Sequence, residues 1–293
     1  MKRYTVKGYI NAIIAAVSYG TNPLFALPMY SHGFGVNSVL FYRYLFAVLL
    51  YGLWIKLYKK ISLKITLEEF FALLVFGIIF ALSSLLLFAS FKYMDSGLAC
   101  TILFVYPIMI ALISKIFYNE HLSGVIWFAL LLTVGGVALL YGGSINGQIS
   151  PRGLIYVILS ALTDAVYMVG IKHNKILKQI KPDKISFYVM LFGLSVFIWN
   201  LKFCTELQPI NNWLVLVCAL MLAIFPTIIS LETITFGIKF IGATKTAIIG
   251  ALEPLTALFF GVLFFHEIIT LKIFLGIIMI LTGVIAVILN KKH

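Results

Sequence analysis

Three acids and one arginine stand where this chain can least tolerate polar atoms. Asp164, Glu232, Glu253 and Arg43 each sit inside a long apolar stretch. A carboxylate at mid-span costs about 2.5–3.5 kcal/mol to insert into a bilayer, so each needs a partner or a water-filled cavity. The chemistry such groups offer is cation binding or proton exchange. Helical spacing places company around them. Tyr156, Ser160, Asp164 and Tyr167 recur at steps of four, four and three, which is one helix face. Asn11, Ala15, Ser18 and Asn22 form a second face, and another stretch offers Thr227, Glu232 and Thr235 in its half nearer the cytoplasm. Ser83 and Ser84 fall near the middle of another apolar stretch. The predicted lining of a shared polar pocket is Ser18, Tyr19, Asn22, Ser83, Tyr106, Asp164, Tyr167, Glu232 and Glu253. The competing reading is interhelical glue, at about 0.6 kcal/mol per contact. Glue accounts well for serine and threonine and poorly for the acids. Glu253, directly before Pro254, could instead help rebuild a helix turn that the proline opens.

The elements that must hold these residues follow from composition. The chain has 293 residues, 62% hydrophobic and 11% charged, with a mean hydropathy of +1.08. A soluble domain averages about 25% charged residues, so too little polar surface exists here to coat a globule. A bilayer span needs about 20 apolar residues. Ten such stretches are predicted, at 8–29, 36–56, 68–91, 95–118, 122–141, 151–171, 183–202, 211–236, 243–265 and 269–289. The expected fold is therefore all-α and integral to the membrane, with short connections and no separate catalytic or nucleic-acid-binding domain. The first stretch runs on into Asn22 and Pro23, not into a small-residue cleavage site, so no cleavable leader is predicted.

Charge orients the spans. With the N-terminus inside, 17 of the 22 Lys and Arg residues fall on the inner side, and Lys92, Arg152, Lys202 and Lys272 fall outside. That bias predicts both termini in the cytoplasm, in the plasma or inner membrane. The basic residues are dispersed between spans, which argues against nucleic acid as a partner. Cys100, Cys204 and Cys218 lack metal-ligand spacing and read as small apolar filler. HExxH, GxSxG and P-loop patterns are absent, and no two Asp lie within ten residues of each other. No enzyme activity, cofactor or metal is expected; an integral-membrane enzyme, or a non-transporting protein with a polar cavity, is the alternative.

Rare residues recur at a constant offset of 147. Lys92, Pro107, Glu120 and Gly136 map onto Lys239, Pro254, Glu267 and Gly283. The predicted units are 1–147 and 148–293. A five-span unit is odd-numbered, so its second copy inserts upside down, as in secondary transporters with a site at the repeat interface. Pro107 and Pro254 are then two matched candidate hinges, the bland reading being fixed kinks. Thr246, Gly250, Ala257 and Gly261, together with Gly276 and Gly283, form small-residue stripes suited to close helix packing.

The motifs YPIMIALISKIFYNE (106–120) and EPLTALFFGVLFFHE (253–267), with AAVSYGTNPLF (15–25) in the first span and Arg43 in the second, resemble the EamA family of the drug/metabolite transporter superfamily. The resemblance implies ten helices in two inverted five-helix repeats, and a secondary transporter working by alternating access. Its substrate would be a small metabolite such as an amino acid or a related compound. The implied partners are that small molecule and the lipid bilayer, with a homodimer through peripheral helices left open. Asp164 departs from the family pattern, which has an aromatic or small residue there, and marks a different substrate or an ion-coupling site.

Overall fold

Backbone amides cannot be left unpaired in hydrocarbon, so a chain this apolar must satisfy them within helices. The computed structural model describes residues 2–90, 93, 94, 96–141, 150–265 and 269–290, and helices are the only regular elements among them. In order they are α1 (Lys2–Gly20), α2 (Asn22–Ser31), α3 (Val36–Trp54), α4 (Leu67–Ser90), α5 (Ser96–Leu103), α6 (Tyr106–Tyr118), α7 (Gly124–Tyr141), α8 (Pro151–His173), α9 (Lys175–Gln179), α10 (Pro182–Asn200), α11 (Trp213–Ala223), α12 (Ser230–Ile241), α13 (Ala243–Ile249), α14 (Leu252–Phe265) and α15 (Leu271–Leu289). Wider turns extend α3 through Ile55–Lys59 and join α11 to α12 through Ile224–Ile229.

Among the described residues, eight helical runs are long and apolar enough to cross a membrane. The stretches predicted at 95–118 and 122–141 are not among the eight. The first is divided into α5 and α6; the second yields a shorter apolar helix over Gly124–Leu140. The partition of 95–118 has a local cause. Pro107 stands in the first turn of α6, where it cannot donate to the preceding helix and its ring crowds the turn before it. Related breaks open at Thr21 before Pro23, around Pro226, and at Gly250–Ala251 before Pro254. Lys92, Asp95, Glu267 and the junction of the two predicted units lie outside the described residues.

The large apolar side chains face outward as well as inward. Leu49, Leu53, Phe71, Val75, Phe117, Phe259, Leu263 and Leu281 are exposed, the pattern of a surface solvated by lipid. Inside, the helices pair. Helix α1 lies along α12 and α14, α4 along α8 and α10, α6 on α8 and α13, and α3 on α10 and α11. The α7–α15 seam is a close backbone approach. A Cβ on Gly136 would come within 2.8 Å of the Gly276 carbonyl oxygen, and one on Gly276 within 2.7 Å of the Gly136 carbonyl oxygen. Side chains larger than hydrogen at either position would push the two backbones apart.

The two ends of the bundle are held differently. At the Lys-rich end, Thr66 and Glu69 cap α4 reciprocally, Thr66 Oγ1 accepting from the Glu69 amide at 3.2 Å and Glu69 Oε2 from the Thr66 amide at 3.0 Å. Glu69 also meets Lys184 at 3.3 Å, and Glu120 meets His173 at 3.0 Å. Lys239 donates to the carbonyls of Leu177 and Ile180 beneath α9. At the opposite end, Gln208 donates through Nε2 to the Gly33 carbonyl (2.8 Å) and accepts from the Gly35 amide, while Tyr42 donates to the Gln208 carbonyl (2.8 Å).

Candidate functional site: a central crevice where helices break

Helix breaks leave backbone carbonyls without their amide partners, and side chains must answer them. Arg43 on α3 does so at Pro226. Its Nη2 donates to the Pro226 carbonyl at 2.8 Å and its Nε to Thr227 Oγ1 at 2.6 Å, while Thr227 Oγ1 donates to the Leu222 carbonyl at 2.7 Å. The guanidinium carbon lies 5.3 Å from the centre of the Tyr19 ring. Arg43 is thus a brace across α3, the α11–α12 turn and α1, and it is only 4% exposed.

Beside this brace the structure gathers most of the predicted lining. Asp164, midway along α8, lies beside Ser83 on α4. Ser83 and Ser160 face each other at 3.3 Å, and Ser160 also donates to the Ser83 carbonyl at 2.8 Å. Glu253, in the first turn of α14, comes within electrostatic reach of Asp164 and of Arg43. Tyr106 stands at the α5–α6 break within reach of Glu253, Asp164 and Tyr19. Tyr44 and Tyr167 are buried below them; Tyr44 lies 4.9 Å from Phe197, and Tyr167 lies 4.9 Å from Phe80, ring centre to ring centre. Six helices therefore contribute to one locus: α1, α3, α4, α6, α8 and α14.

The remaining sequence candidates are placed as follows. Ser18 is buried, and its carbonyl accepts the Thr21 hydroxyl at 2.7 Å, which stitches the α1–α2 break. Asn22 is half-buried at the start of α2. Pro107 and Pro254 are both buried, each one residue beyond a lining side chain. Glu232 stands apart from the group. It pairs with Lys59, which also pairs with Asp183. Lys59 and Asp183 were not among the predicted site residues. Their only signal was a lysine and an aspartate at span ends.

Asp164, Glu253, Tyr19 and Tyr106 are half-buried, although they lie in the middle of the bundle. A crevice accordingly reaches them. Toward the Lys-rich end the way is shut. There α6 packs on α13, and Tyr51, Ile55, Leu231, Thr235, Ile238 and Ala247 are buried. Among the described residues no group of three or more His, Cys, Asp or Glu could hold a metal ion.

This architecture has counterparts. The model of the EamA-like transporter family matches residues 6–142 and again 151–289. The chain belongs to the EamA-like transporter family. As a family member it is a multi-pass membrane transporter by class. It is 25% identical over 229 residues to "Uncharacterized transporter YdfC" of Bacillus subtilis, which covers 74% of this chain and 71% of that one. It is 26% identical over 280 residues to "Uncharacterized transporter YcbK" of the same organism, covering 90% and 87%. A solved structure described only as "Crystal structure of protein" superposes with a TM-score of 0.78 over 95% of each chain at 17% identity. That likeness speaks to the fold.

Proposed function

We propose that this EamA-like chain is a secondary transporter that moves a small polar metabolite through the central crevice by alternating access. The observation that carries the reading is the asymmetry of the crevice. Two half-buried carboxylates lie at mid-bundle, and the Lys-rich end beyond them is closed by packed helices and ion pairs. A pocket that must open to each side in turn needs elements able to bend at its own depth, and the breaks before Pro107 and Pro254 lie there.

The same reading takes the chain as ten spans in two inverted five-helix units, 1–147 and 148–293. It is supported by the way helices pair. Contact of α1 with α12 has its counterpart in α8 with α4, and α1 with α14 in α8 with α6, while α7 meets α15. Exchanging the two units reproduces each of these contacts. The Lys-rich end is then cytoplasmic, with both termini on that side, and the crevice is open to the outside.

Thiol labelling tests alternating access directly. In a background lacking Cys100, Cys204 and Cys218, Ser84→Cys places a thiol at the depth of Asp164. A membrane-impermeant maleimide should reach it from the outer side in right-side-out vesicles and also from the inner side in inverted ones. Labelling from a single side only, under all conditions, would remove the transporter reading.

A further inference from the structure

The long helices are interrupted unequally. The offset of 147 carries α1 and α2 onto α8, and α4 onto the run from α11 to α12. Contact of α1 with α12 therefore corresponds to contact of α8 with α4. The second pair is continuous, α4 over 24 residues and α8 over 23. Both members of the first pair are interrupted, α1–α2 at Thr21 before Pro23 and α11–α12 at the wider turn through Pro226. A helix in a bilayer bends at low cost only where the carbonyls released by the bend find other donors. Both interruptions meet that condition. Thr21 donates to the Ser18 carbonyl at 2.7 Å, Thr227 to the Leu222 carbonyl at 2.7 Å, and Arg43 to the Pro226 carbonyl at 2.8 Å. Helices α4 and α8 instead are tied to each other. Ser160 donates to the Ser83 carbonyl at 2.8 Å, and the Phe76 ring lies against Gly170, where no Cβ would fit.

On the Lys-rich side of the two interruptions, α1 and α12 run together as one body. Ser230, the first residue of α12, donates to the Ala15 carbonyl at 3.1 Å. Near the other end of α12, a Cβ on Gly8 would stand 2.8 Å from the Phe240 Cβ. Two polar ties fasten α12 to its surroundings. Glu232 pairs with Lys59 at the end of the run that begins with α3. Lys239 donates to the Leu177 carbonyl at 2.8 Å and to the Ile180 carbonyl, at and just beyond α9.

We propose that α1 and α12 form a two-helix gate over the Lys-rich end, hinged at Thr21 and at Ile224–Ile229, latched by Glu232 and Lys239, and swinging against a fixed α4–α8 frame. The breaks before Pro107 and Pro254 recur in both units. Those at Thr21 and Pro226 have no counterpart in α8 and α4, so the hinged arm belongs to the Lys-rich end alone. The proposal rests on the transporter reading, which supplies the need for that end to open.

Spin-label distances test it on the full chain in lipid nanodiscs, in a background lacking Cys100, Cys204 and Cys218. Labels at Ile10→Cys and Phe71→Cys span arm to frame, and labels at Phe71→Cys and Val166→Cys span the frame itself; all three positions are exposed. Lys239→Met deprives two carbonyls of their donor in the latched form. It should raise a longer Ile10–Phe71 distance population by at least about fivefold and leave the Phe71–Val166 distance unchanged. Glu232→Gln weakens the other latch and should move the same pair in the same direction, which decides the matter if Lys239→Met fails to fold. An Ile10–Phe71 distribution that neither variant changes would overturn the gate. So would an equal shift of Phe71–Val166, because the whole bundle would then be loosening. Labelling of Ser84→Cys from both sides in either case would keep the transporter reading and discard only the hinged arm.

Discussion

The hydroxyl of Tyr106 lies against Gly250, 2.6 Å from where a Cβ on that glycine would stand. Tyr106 opens α6 at one proline break and Gly250 closes α13 at the other, so the two breaks touch. The contact explains why Gly250 admits no side chain. It also joins the two proline-bearing helices at the depth of the crevice. Gly250→Ala should force Tyr106 aside and lower stability by about 1–3 kcal/mol, the usual cost of overpacking. Tyr106→Phe removes the atom that collides. The double variant should therefore melt closer to the parent than Gly250→Ala alone, and a double-mutant cycle of melting temperatures reads the coupling. Strict additivity would show that the two residues do not bear on each other.

Lys59 serves two carboxylates at once. Asp183 belongs to α10 and Glu232 to α12, while Lys59 ends the run that begins with α3, so one ammonium ties three helices at the Lys-rich end. Lys59→Met leaves two acids facing each other without a counter-charge. Inner-side labelling of Ser84→Cys should rise at least severalfold in that variant, because the closed end loses a tie. Asp183→Asn or Glu232→Gln alone keeps one pair and should give a smaller rise. Equal labelling in all three variants would mean the cluster does not hold that end shut.

Arg43 and Thr227 are expected to act as structure. Arg43→Lys loses the Nε donor and Thr227→Val the hydroxyl that receives it. Each should cost about 1–3 kcal/mol, since a buried partner is left unsatisfied. Thermal melts in detergent measure this, and unchanged melting would deny the brace.

Orientation is open to a direct check. Reporters fused after Lys64 and after Lys178 should read cytoplasmic, and one after Glu206 external. Any of the three on the wrong side would break the assignment of the Lys-rich end.

What could be read from the chain by itself was whatever depends on local sequence. Apolar run length, the lysine bias and the prolines are properties of neighbouring residues. They suffice to predict a helical membrane protein with interruptions before Pro107 and Pro254. The periodic face of Ser160, Asp164 and Tyr167 was legible for the same reason. Which polar residue meets which was decided only in three dimensions. Glu232 and Thr227 lie in the same span, yet Thr227 binds Arg43 and Glu232 binds Lys59. The residues are five positions apart, and which neighbouring helix each one meets depends on the packing of α3 and α10 against that span. Asp164 and Glu253, 89 positions apart, come together because α8 and α14 both border the same crevice. From the sequence Arg43 was legible only as a charge inside an apolar stretch. The tertiary structure turned it toward the Pro226 carbonyl, because a broken helix inside a bilayer must find its donors from a neighbour.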